Sequence, residues 1–265
     1  MNNINIFCFG FGQVAKNFIK KLIIEKYNIT LATTSRNKSS KENFKGINYN
    51  KYLFSGNKFD TNLLAELKKA DHILVSIPPE KQEDLVVKNF SKFIEYSKVK
   101  WITYLSATSV YGDHKGEWVN ENSKTNPISN KGIARLKAEN AWVSLEKNNI
   151  PVQIFRLSGI YSNEKNILIR LKIGEVKLIN KKNHYFSRIH VDDISNILFK
   201  SLSKFKSGEI YNLSDDKPST FEEVTLFGAK MLNIENIEKI EVDEIKSEIL
   251  KILEKLNLMK LKMRY

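Results

Sequence analysis

The chain has 265 residues, a formal net charge of +13 and a pI near 9.5, and it is long enough to bury a full hydrophobic core. Its lysines are scattered through every segment and form no stripe, zinc-finger spacing or basic–aromatic repeat, which argues against a nucleic-acid-binding protein. No segment is apolar and long enough to span a membrane, and the N-terminus lacks a signal-peptide pattern.

The cysteine and histidine content argues against a disulfide and against a metal site. Cys8 is the only cysteine, and its place in an apolar run predicts a buried, inert thiol. The four histidines are far apart and in no ligand spacing with cysteine, so we expect no metal ion. A reducing, cytoplasmic location fits these features.

A glycine-rich turn follows the first apolar run of the chain. Ile4–Phe9 predicts a strand that leads directly into residues 10–15, Gly-Phe-Gly-Gln-Val-Ala, and then into a helical pattern. Gly10 permits a tight turn, Gly12 leaves room for a pyrophosphate, and Ala15 lets the helix pack close to the strand. The pattern predicts a dinucleotide site, and the alternative is a turn that needs glycine for geometry alone. The free N–H groups of the first helical turn include those of Gln13 and Val14.

The end of the second apolar run indicates which dinucleotide is preferred. Ile29–Thr34 predicts a strand, and Ser35, Arg36 and Lys38 follow it without an acidic residue. A carboxylate at this place binds a ribose 2′-hydroxyl, whereas a hydroxyl and an arginine suit a 2′-phosphate. The sequence therefore favours NADP(H) over NAD(H). The alternative is a solvated basic loop.

Strand and helix patterns alternate along the first 160 residues, which predicts an α/β protein with a doubly wound, Rossmann-type parallel sheet. Apolar runs predict strands at Ile47–Leu53, His72–Ile77, Trp101–Leu105 and Val152–Leu157. Helical periodicity is found at Asp60–Lys69, Glu80–Tyr96 and Asn130–Asn148.

Beyond Gly159 the pattern loosens and predicts a small, mixed C-terminal lobe that takes the substrate. We expect a nucleotide-binding domain at residues 1–160 and a contiguous lobe at 161–265. The stretch Glu241–Leu258 has an apolar face and a polar face of mixed charge, which predicts a surface helix packed on the body. Shorter elements are predicted at Asn166–Lys172, Val176–Ile179, Asp192–Ser203, Ile210–Leu213 and Thr220–Leu232.

Several segments together resemble the short-chain dehydrogenase/reductase superfamily, in its extended and atypical branch of NAD-dependent epimerases and dehydratases. They occur in the family's order and span most of the chain. The matching segments are Gly10–Ala15, Leu105–Gly112, Arg156–Tyr161, Arg188–Ile194 and Ile210–Asp215.

The resemblance implies a Rossmann fold, an NAD(P) cofactor and a polar substrate, such as a sugar or an anion. It assigns Ile77, Pro78 and Ser106 to the cofactor site, and Tyr111 to the wall of the substrate cleft. Arg188 corresponds to a place where the family often contacts substrate phosphate. The alternative there is structural, with Asp192 or Asp193 as a helix N-cap and Arg188 paired to a carboxylate. Many members form homodimers through the helices predicted at Glu80–Tyr96 and Asn130–Asn148.

The catalytic residues of the family are missing. Its Ser or Thr, four residues before the Val-Tyr-Gly tyrosine, is Ala107 here. If Glu139 corresponds to the glutamate that follows the family's Tyr-x-x-x-Lys, then Lys131 takes the place of the tyrosine and Arg135 that of the lysine. A guanidinium cannot release a proton at neutral pH, so Arg135 can bind ribose or phosphate but not act as an acid.

Two hypotheses therefore remain open. In the first, the protein is an oxidoreductase or epimerase with a substitute acid. Lys131, four residues before Arg135 on the same helix face, is one candidate for this acid, and the alternative is a solvated basic helix face. In the second, it is a catalytically silent sensor or interaction protein that binds the cofactor. For the first hypothesis, Tyr111 and a water held by Ser109 or Asp113 are the other candidate acids, and a bulge or turn after Ala107 would let Thr108 or Ser109 supply the missing hydroxyl.

Overall fold

The computed structural model of the chain describes residues 2–179 and 184–240, and the predicted helix at Glu241–Leu258 lies outside them. The helices are α1 Gln13–Ile24, α2 Leu63–Lys69, α3 Leu85–Glu95, α4 Asn130–Glu146, α5 Ile167–Lys172, α6 Val191–Ser201 and α7 Phe221–Met231. The strands are β1 Asn3–Phe9, β2 Asn28–Ser35, β3 Ser40–Phe44, β4 Ile47–Ser55, β5 Lys58–Phe59, β6 His72–Val75, β7 Trp101–Ala107, β8 Val152–Leu157, β9 Gly159–Tyr161, β10 Leu178–Ile179, β11 Tyr185–Phe186, β12 Arg188–His190, β13 Ile210–Leu213, β14 Ser219–Thr220 and β15 Lys239–Ile240.

The central sheet is mostly parallel, with the strand order β13-β8-β7-β6-β1-β2-β4-β3. Only β3 and β5, which both pair with β4, run antiparallel to their neighbour. The strand order changes direction between β1 and β6, since β1 pairs with β2 on one side and with β6 on the other. In sheets of this kind, the crevice at the carboxyl ends of these strands is where ligands bind.

Helices cover both faces of the sheet, as the doubly wound prediction requires. On one face, apolar side chains of α2, α3 and α4 pack against the strands, with Phe90 and Trp142 fully buried. On the other face, α1 and α6 supply side chains such as Phe18 and Leu198. The buried strand β8 has no polar alternation because both of its faces are covered in this way.

The chain divides into two compact units. Of the described residues, the first unit contains 2–160 and 188–215, and the second contains 161–179, 184–187 and 216–240. This differs from the contiguous C-terminal lobe that we expected. Residues 188–215 belong to the first unit because β13 pairs with β8 in the central sheet and α6 packs on α1. The second unit is mixed, with α5 and α7 packed together beside short strands.

Most predicted elements are found within two residues of their expected ends, but α3 starts five residues later than the pattern suggested. Lys81 and Gln82 have φ angles of +46° and +68°, which a right-handed helix cannot contain. Asp84 then caps the helix, because its carboxylate accepts the N–H groups of Val86 and Val87, both at 2.9 Å.

The region after β2 also differs from expectation. Ile47–Leu53 was predicted as a single strand, whereas the structure has a hairpin in which β3 pairs with β4 before β4 joins β2. The polar composition of Ser40–Phe44 gave no strand signal. Phe44 and Tyr49 of this hairpin pack on Phe11, at ring-centre distances of 5.3 and 5.2 Å, and so help to hold the glycine-rich turn.

Cys8 is fully buried in β1, and burial raises the pKa of its thiol to about 12. Within residues 2–179 and 184–240, no helix combines the length and the apolar composition needed to cross a membrane. The same residues contain no group of three or more His, Cys, Asp or Glu side chains that could hold a metal ion.

His72, the first residue of β6, makes the stability of the fold dependent on pH. Burial against the Trp101 ring, 5.6 Å away, lowers the imidazole pKa from 6.5 to about 4. The unfolded chain therefore binds this proton more tightly, and the stability that neutral His72 provides is lost as the pH falls from 6.5 towards 4. We expect urea titrations to show a shallower loss of stability over that range in His72→Leu. Parallel pH profiles for the two proteins would contradict this.

Candidate functional site

The glycine-rich turn is fixed to its surroundings at Gly10. The φ angle of Gly10 is +84°, and its N–H donates to the Thr34 hydroxyl at 2.9 Å. The Ser76 hydroxyl donates to the carbonyl oxygen of Phe9 at 3.0 Å. A Cβ atom on Gly10 would lie 2.7 Å from Cγ2 of Ile77. Only glycine satisfies both the conformation and the close approach of the chain after β6.

The N-terminus of α1 is open where this turn ends. Gly12 is the N-cap residue and no side chain caps the helix. Among the described residues other than its chain neighbours, none has an atom within 4 Å of the place where a Cβ of Gly12 would be. The side-chain nitrogen of Gln13 is buried and has no hydrogen-bond partner. Free N–H groups, a positive helix end and an unpartnered amide together form an arrangement suited to phosphate.

The loop that follows β2 carries two exposed basic side chains. Arg36 and Lys38 are exposed, whereas Ser35 is half-buried and its hydroxyl accepts the N–H of Asn37 at 3.2 Å. Ser39 anchors the far side of the loop, since its hydroxyl donates to Asp60 at 2.6 Å. The guanidinium of Arg36 is therefore carried on a fixed loop that directly follows the end of β2.

A buried ion pair lies beneath the carboxyl ends of β7 and β8. Arg156 and Glu139 approach to 2.8 Å with side-chain exposures of 5% and 2%. Burial by itself lowers the pKa of Arg156, but the hydrogen bonds and charge of Glu139 more than offset this and raise it. The Ser106 hydroxyl donates to the same carboxylate. The side chain of Ser106 is thus committed to the interior, so any contact with a cofactor must come from its main chain.

Tyr111 belongs to the same buried network and is only 2% exposed. Its phenol oxygen accepts from Arg156 at 2.9 Å and donates to the Asn212 side chain at 2.7 Å. The carboxylate of Glu121 completes the network by accepting the N–H of Asn212 at 2.7 Å. With both of its hydrogen-bonding roles taken, the phenol holds the strand ends together and is not aimed at a substrate.

The chain turns sharply between Ser106 and Tyr111. β7 ends at Ala107, and a 3₁₀ turn over Thr108–Val110 follows. Thr108 is half-buried and Ser109 is exposed. The turn predicted as a way to bring these hydroxyls to the sheet edge is therefore present. Gly132 of α4 packs on it so closely that a Cβ there would lie 2.6 Å from the carbonyl oxygen of Ser109.

Solved structures of similar fold cover most of the chain. A conserved protein of unknown function from Silicibacter pomeroyi DSS is 28% identical, with a TM-score of 0.77, over 92% of this chain and 83% of that one. UDP-glucuronic acid 4-epimerase from Bacillus cereus, in complex with NAD, is 14% identical, with a TM-score of 0.73, over 89% of this chain and 87% of that one. The dTDP-glucose 4,6-dehydratase from Bacillus anthracis str. Ames, in complex with NAD, is 18% identical, with a TM-score of 0.73, over 91% of this chain and 85% of that one.

The chain has the extended short-chain dehydrogenase/reductase fold. No family model matches it, and no curated protein sequence is significantly similar to it.

Lys131 and Arg135, the two residues predicted to take the places of the family's Tyr-x-x-x-Lys, both lie on α4. Lys131 is exposed in the first turn of α4. Arg135 is half-buried and donates to the carbonyl oxygen of Leu105 at 2.6 Å and to the Tyr104 hydroxyl at 3.3 Å. Arg135 is thereby fixed beside the end of β7. Ser109 and the first turn of α4 meet at Gly132, so Lys131 and the 3₁₀ turn belong to one region of the first unit.

Arg188 and His190 lie where β12 leads into α6. Arg188 begins β12, and its carbonyl oxygen accepts the N–H of Asp215 at 2.6 Å. His190, not Asp192 or Asp193, is the N-cap residue of α6, because its ring accepts the N–H of Asp192 at 3.3 Å. The predicted helix cap was therefore placed two or three residues too late.

Ile77 and Pro78 follow β6 at the crevice, half-buried and exposed respectively. Asp113 is exposed and accepts the N–H of Lys115 at 2.8 Å, so it stabilises a local turn. Sequence reasoning missed Glu121 and Asn212. Their contact joins positions 91 residues apart, and no local pattern in the sequence signals it.

Proposed function

We propose that this protein binds a nicotinamide adenine dinucleotide at the glycine-rich turn and acts as an oxidoreductase or epimerase on a polar substrate. The observation that carries the proposal is the open N-terminus of α1, with free space beside Gly12. A helix end of this kind at the first strand of a Rossmann sheet suits a pyrophosphate. The solved structures in complex with NAD that share the fold support this assignment.

The residues of the first unit fit the separate parts of such a cofactor. The N–H groups of Gln13 and Val14 and the unpartnered amide of Gln13 suit the pyrophosphate. The loop at Ser35 and Arg36 suits the adenosine ribose, and Ile77 and Pro78 line the crevice after β6. The bound cofactor would supply hydride transfer at its nicotinamide ring.

The structure favours some substitute acids over others. The Tyr111 phenol is committed to Arg156 and Asn212, so it serves as a positioning group in this proposal. Thr108 and Ser109, on the turn after β7, offer hydroxyls to orient a substrate oxygen. Exposed Lys131 is the remaining titratable candidate on the neighbouring helix, while Arg135 contributes fixed positive charge.

We further propose that NADP(H) is preferred over NAD(H), because Arg36 directly follows β2, a position that suits a 2′-phosphate, and residues 35–38 contain no acidic side chain. Arg36→Ala is expected to weaken NADPH binding by about 10- to 100-fold, the loss of one charge-assisted interaction, and to leave NADH binding nearly unchanged. Fluorescence titration with NADPH and NADH in parallel measures both affinities.

Lys41→Ala is the matched control for that experiment. Lys41 is an exposed cation on β3 of the same hairpin region, so its removal changes the net charge equally without touching the loop after β2. A similar loss in both variants would reduce the effect of Arg36 to general electrostatic attraction. If neither nucleotide binds the unmodified protein, the oxidoreductase proposal fails and the turn is structural.

A further inference from the structure

Ser158, the residue that directly follows β8, has a buried hydroxyl group without a hydrogen-bond partner. The residue is 5% exposed, and no atom of the described residues pairs with its hydroxyl oxygen. Its main chain is fixed, because the N–H of Ser158 donates to the carbonyl oxygen of Leu213 at 3.0 Å. Buried polar groups in native proteins are nearly always paired, so a hydroxyl left over in this way points to a partner that is not part of the chain.

This hydroxyl lies at the carboxyl end of the sheet, next to the buried ion pair. β7 and β8 are paired up to their last residues, so Ser158 lies beside Thr108, the first residue of the 3₁₀ turn. Side chains alternate along β8, which puts Ser158 on the same side of the sheet as Arg156. The charge of Arg156 is balanced by Glu139 at 2.8 Å. The balanced pair favours a neutral ligand group beside Ser158 over an anion.

The order of the strands indicates which part of a dinucleotide reaches Ser158. In the proposed function, on which this inference rests, the pyrophosphate lies at the end of β1 and the adenosine ribose at the end of β2. Since β2 and β6 flank β1 on opposite sides, the nicotinamide half extends across β6 towards β7 and β8. Thr108, a candidate to orient the substrate oxygen, follows β7, and hydride transfer needs the nicotinamide ring beside the substrate.

We propose that the Ser158 hydroxyl binds the carboxamide of the nicotinamide ring. A carboxamide is neutral and carries both a donor and an acceptor, as a hydroxyl does. A serine hydroxyl moves between staggered positions by rotation about one bond, so it can turn towards a group that arrives at the strand end. The carboxamide then satisfies the unpaired hydroxyl. The contact also fixes the rotation of the nicotinamide ring, and thereby the face of the ring that is turned towards the substrate.

Pairs of nucleotides that differ by the nicotinamide ring test this contact. The pairs are NADH with ADP-ribose and NADPH with 2′-phospho-ADP-ribose, and isothermal titration calorimetry on the full chain measures each affinity. We expect Ser158→Ala to weaken binding of the complete nucleotide about 3- to 10-fold, the loss of one neutral hydrogen bond, and to leave binding of the analogue without the ring unchanged. Ser214→Ala is the matched control. Ser214 directly follows β13 and is exposed to water, so we expect no change in either affinity.

The stability of the protein without nucleotide separates this role from a structural one. Ser158→Ala should leave the melting temperature unchanged or raise it, because the hydroxyl has no internal hydrogen bond to lose. Ser106→Ala should lower the melting temperature, because the Ser106 hydroxyl donates to the buried carboxylate of Glu139.

Three results for Ser158→Ala would overturn the proposal: a lower melting temperature, an unchanged affinity for the complete nucleotide, or an equal loss of affinity for both members of a pair. Each of them leaves the nucleotide site itself in place, since the unmodified protein still binds. If the unmodified protein binds neither NADH nor NADPH, the proposed function fails, and the role of Ser158 fails with it.

Discussion

Arg156→Met is expected to lower the free energy of unfolding by about 3–5 kcal/mol, because it leaves the Glu139 carboxylate buried without its counter-charge. The two side chains are 5% and 2% exposed, so water cannot replace the lost guanidinium without opening the structure. The substitution also removes the hydrogen bond that Arg156 donates to the Tyr111 phenol. Urea denaturation of the purified variant measures the change.

A double variant separates the destabilising effect of an unpaired buried charge from the effect of lost packing. Glu139→Met with Arg156→Met removes both charges, and we expect it to be more stable than Arg156→Met alone, since no unpaired charge remains buried. Lys88→Met is the matched control on the surface. Lys88 and Glu83 approach to 2.6 Å, but they are 46% and 58% exposed, so we expect a loss below about 1 kcal/mol. Equal losses in Arg156→Met and Lys88→Met would contradict the buried-pair argument.

Local signals in the sequence were sufficient for the fold. β1, β6 and β7 are largely apolar runs because both faces of the sheet are covered, and such runs are visible without a structure. The hairpin at β3 was not visible, because Ser40–Phe44 is an edge strand of mostly polar residues, of which Lys41 and Asn43 are exposed. Edge strands carry weaker apolar patterns, and this one could be found only from its pairing with β4.

The candidate site was less predictable because its key contacts are non-local. The glycine-rich turn could be identified, since its residues are consecutive and each has a geometric reason. The role of Tyr111 could not, because it depends on Arg156 and Asn212, which come from β8 and β13. The Val-Tyr-Gly motif predicted that Tyr111 lines the substrate cleft. In the structure, the Tyr111 phenol is buried in the interior beside Arg156.

Gly112→Ala is expected to destabilise the protein by more than about 4 kcal/mol, because the substitution meets two separate obstacles. The φ angle of Gly112 is +76°, which costs a residue with a Cβ about 1–2 kcal/mol. The added methyl group would also overlap the main-chain oxygen of Asn126 and lie 2.7 Å from its carbonyl carbon. Main-chain atoms cannot rotate away as a flexible side chain can, so the loop between Tyr111 and Asn126 must separate.

Gly46→Ala distinguishes these two obstacles. Gly46, in the turn between β3 and β4, has a φ angle of +87° and no atom within 4 Å of the place of its Cβ. It therefore carries the conformational cost without the overlap, and we expect a loss near 1–2 kcal/mol, about what a Cβ costs in the left-handed region. The difference between the two variants in thermal or urea denaturation measures how firmly the loop is held.

The loop at Gly112 is connected to the buried network through Tyr111. Asn126 donates its N–H to the carbonyl oxygen of Tyr111 at 3.1 Å, so separation at Gly112 also loosens Tyr111, whose phenol Arg156 binds. If Gly112→Ala were no worse than Gly46→Ala, the loop would have to move freely, and the buried network could not fix the turn that presents Thr108 and Ser109.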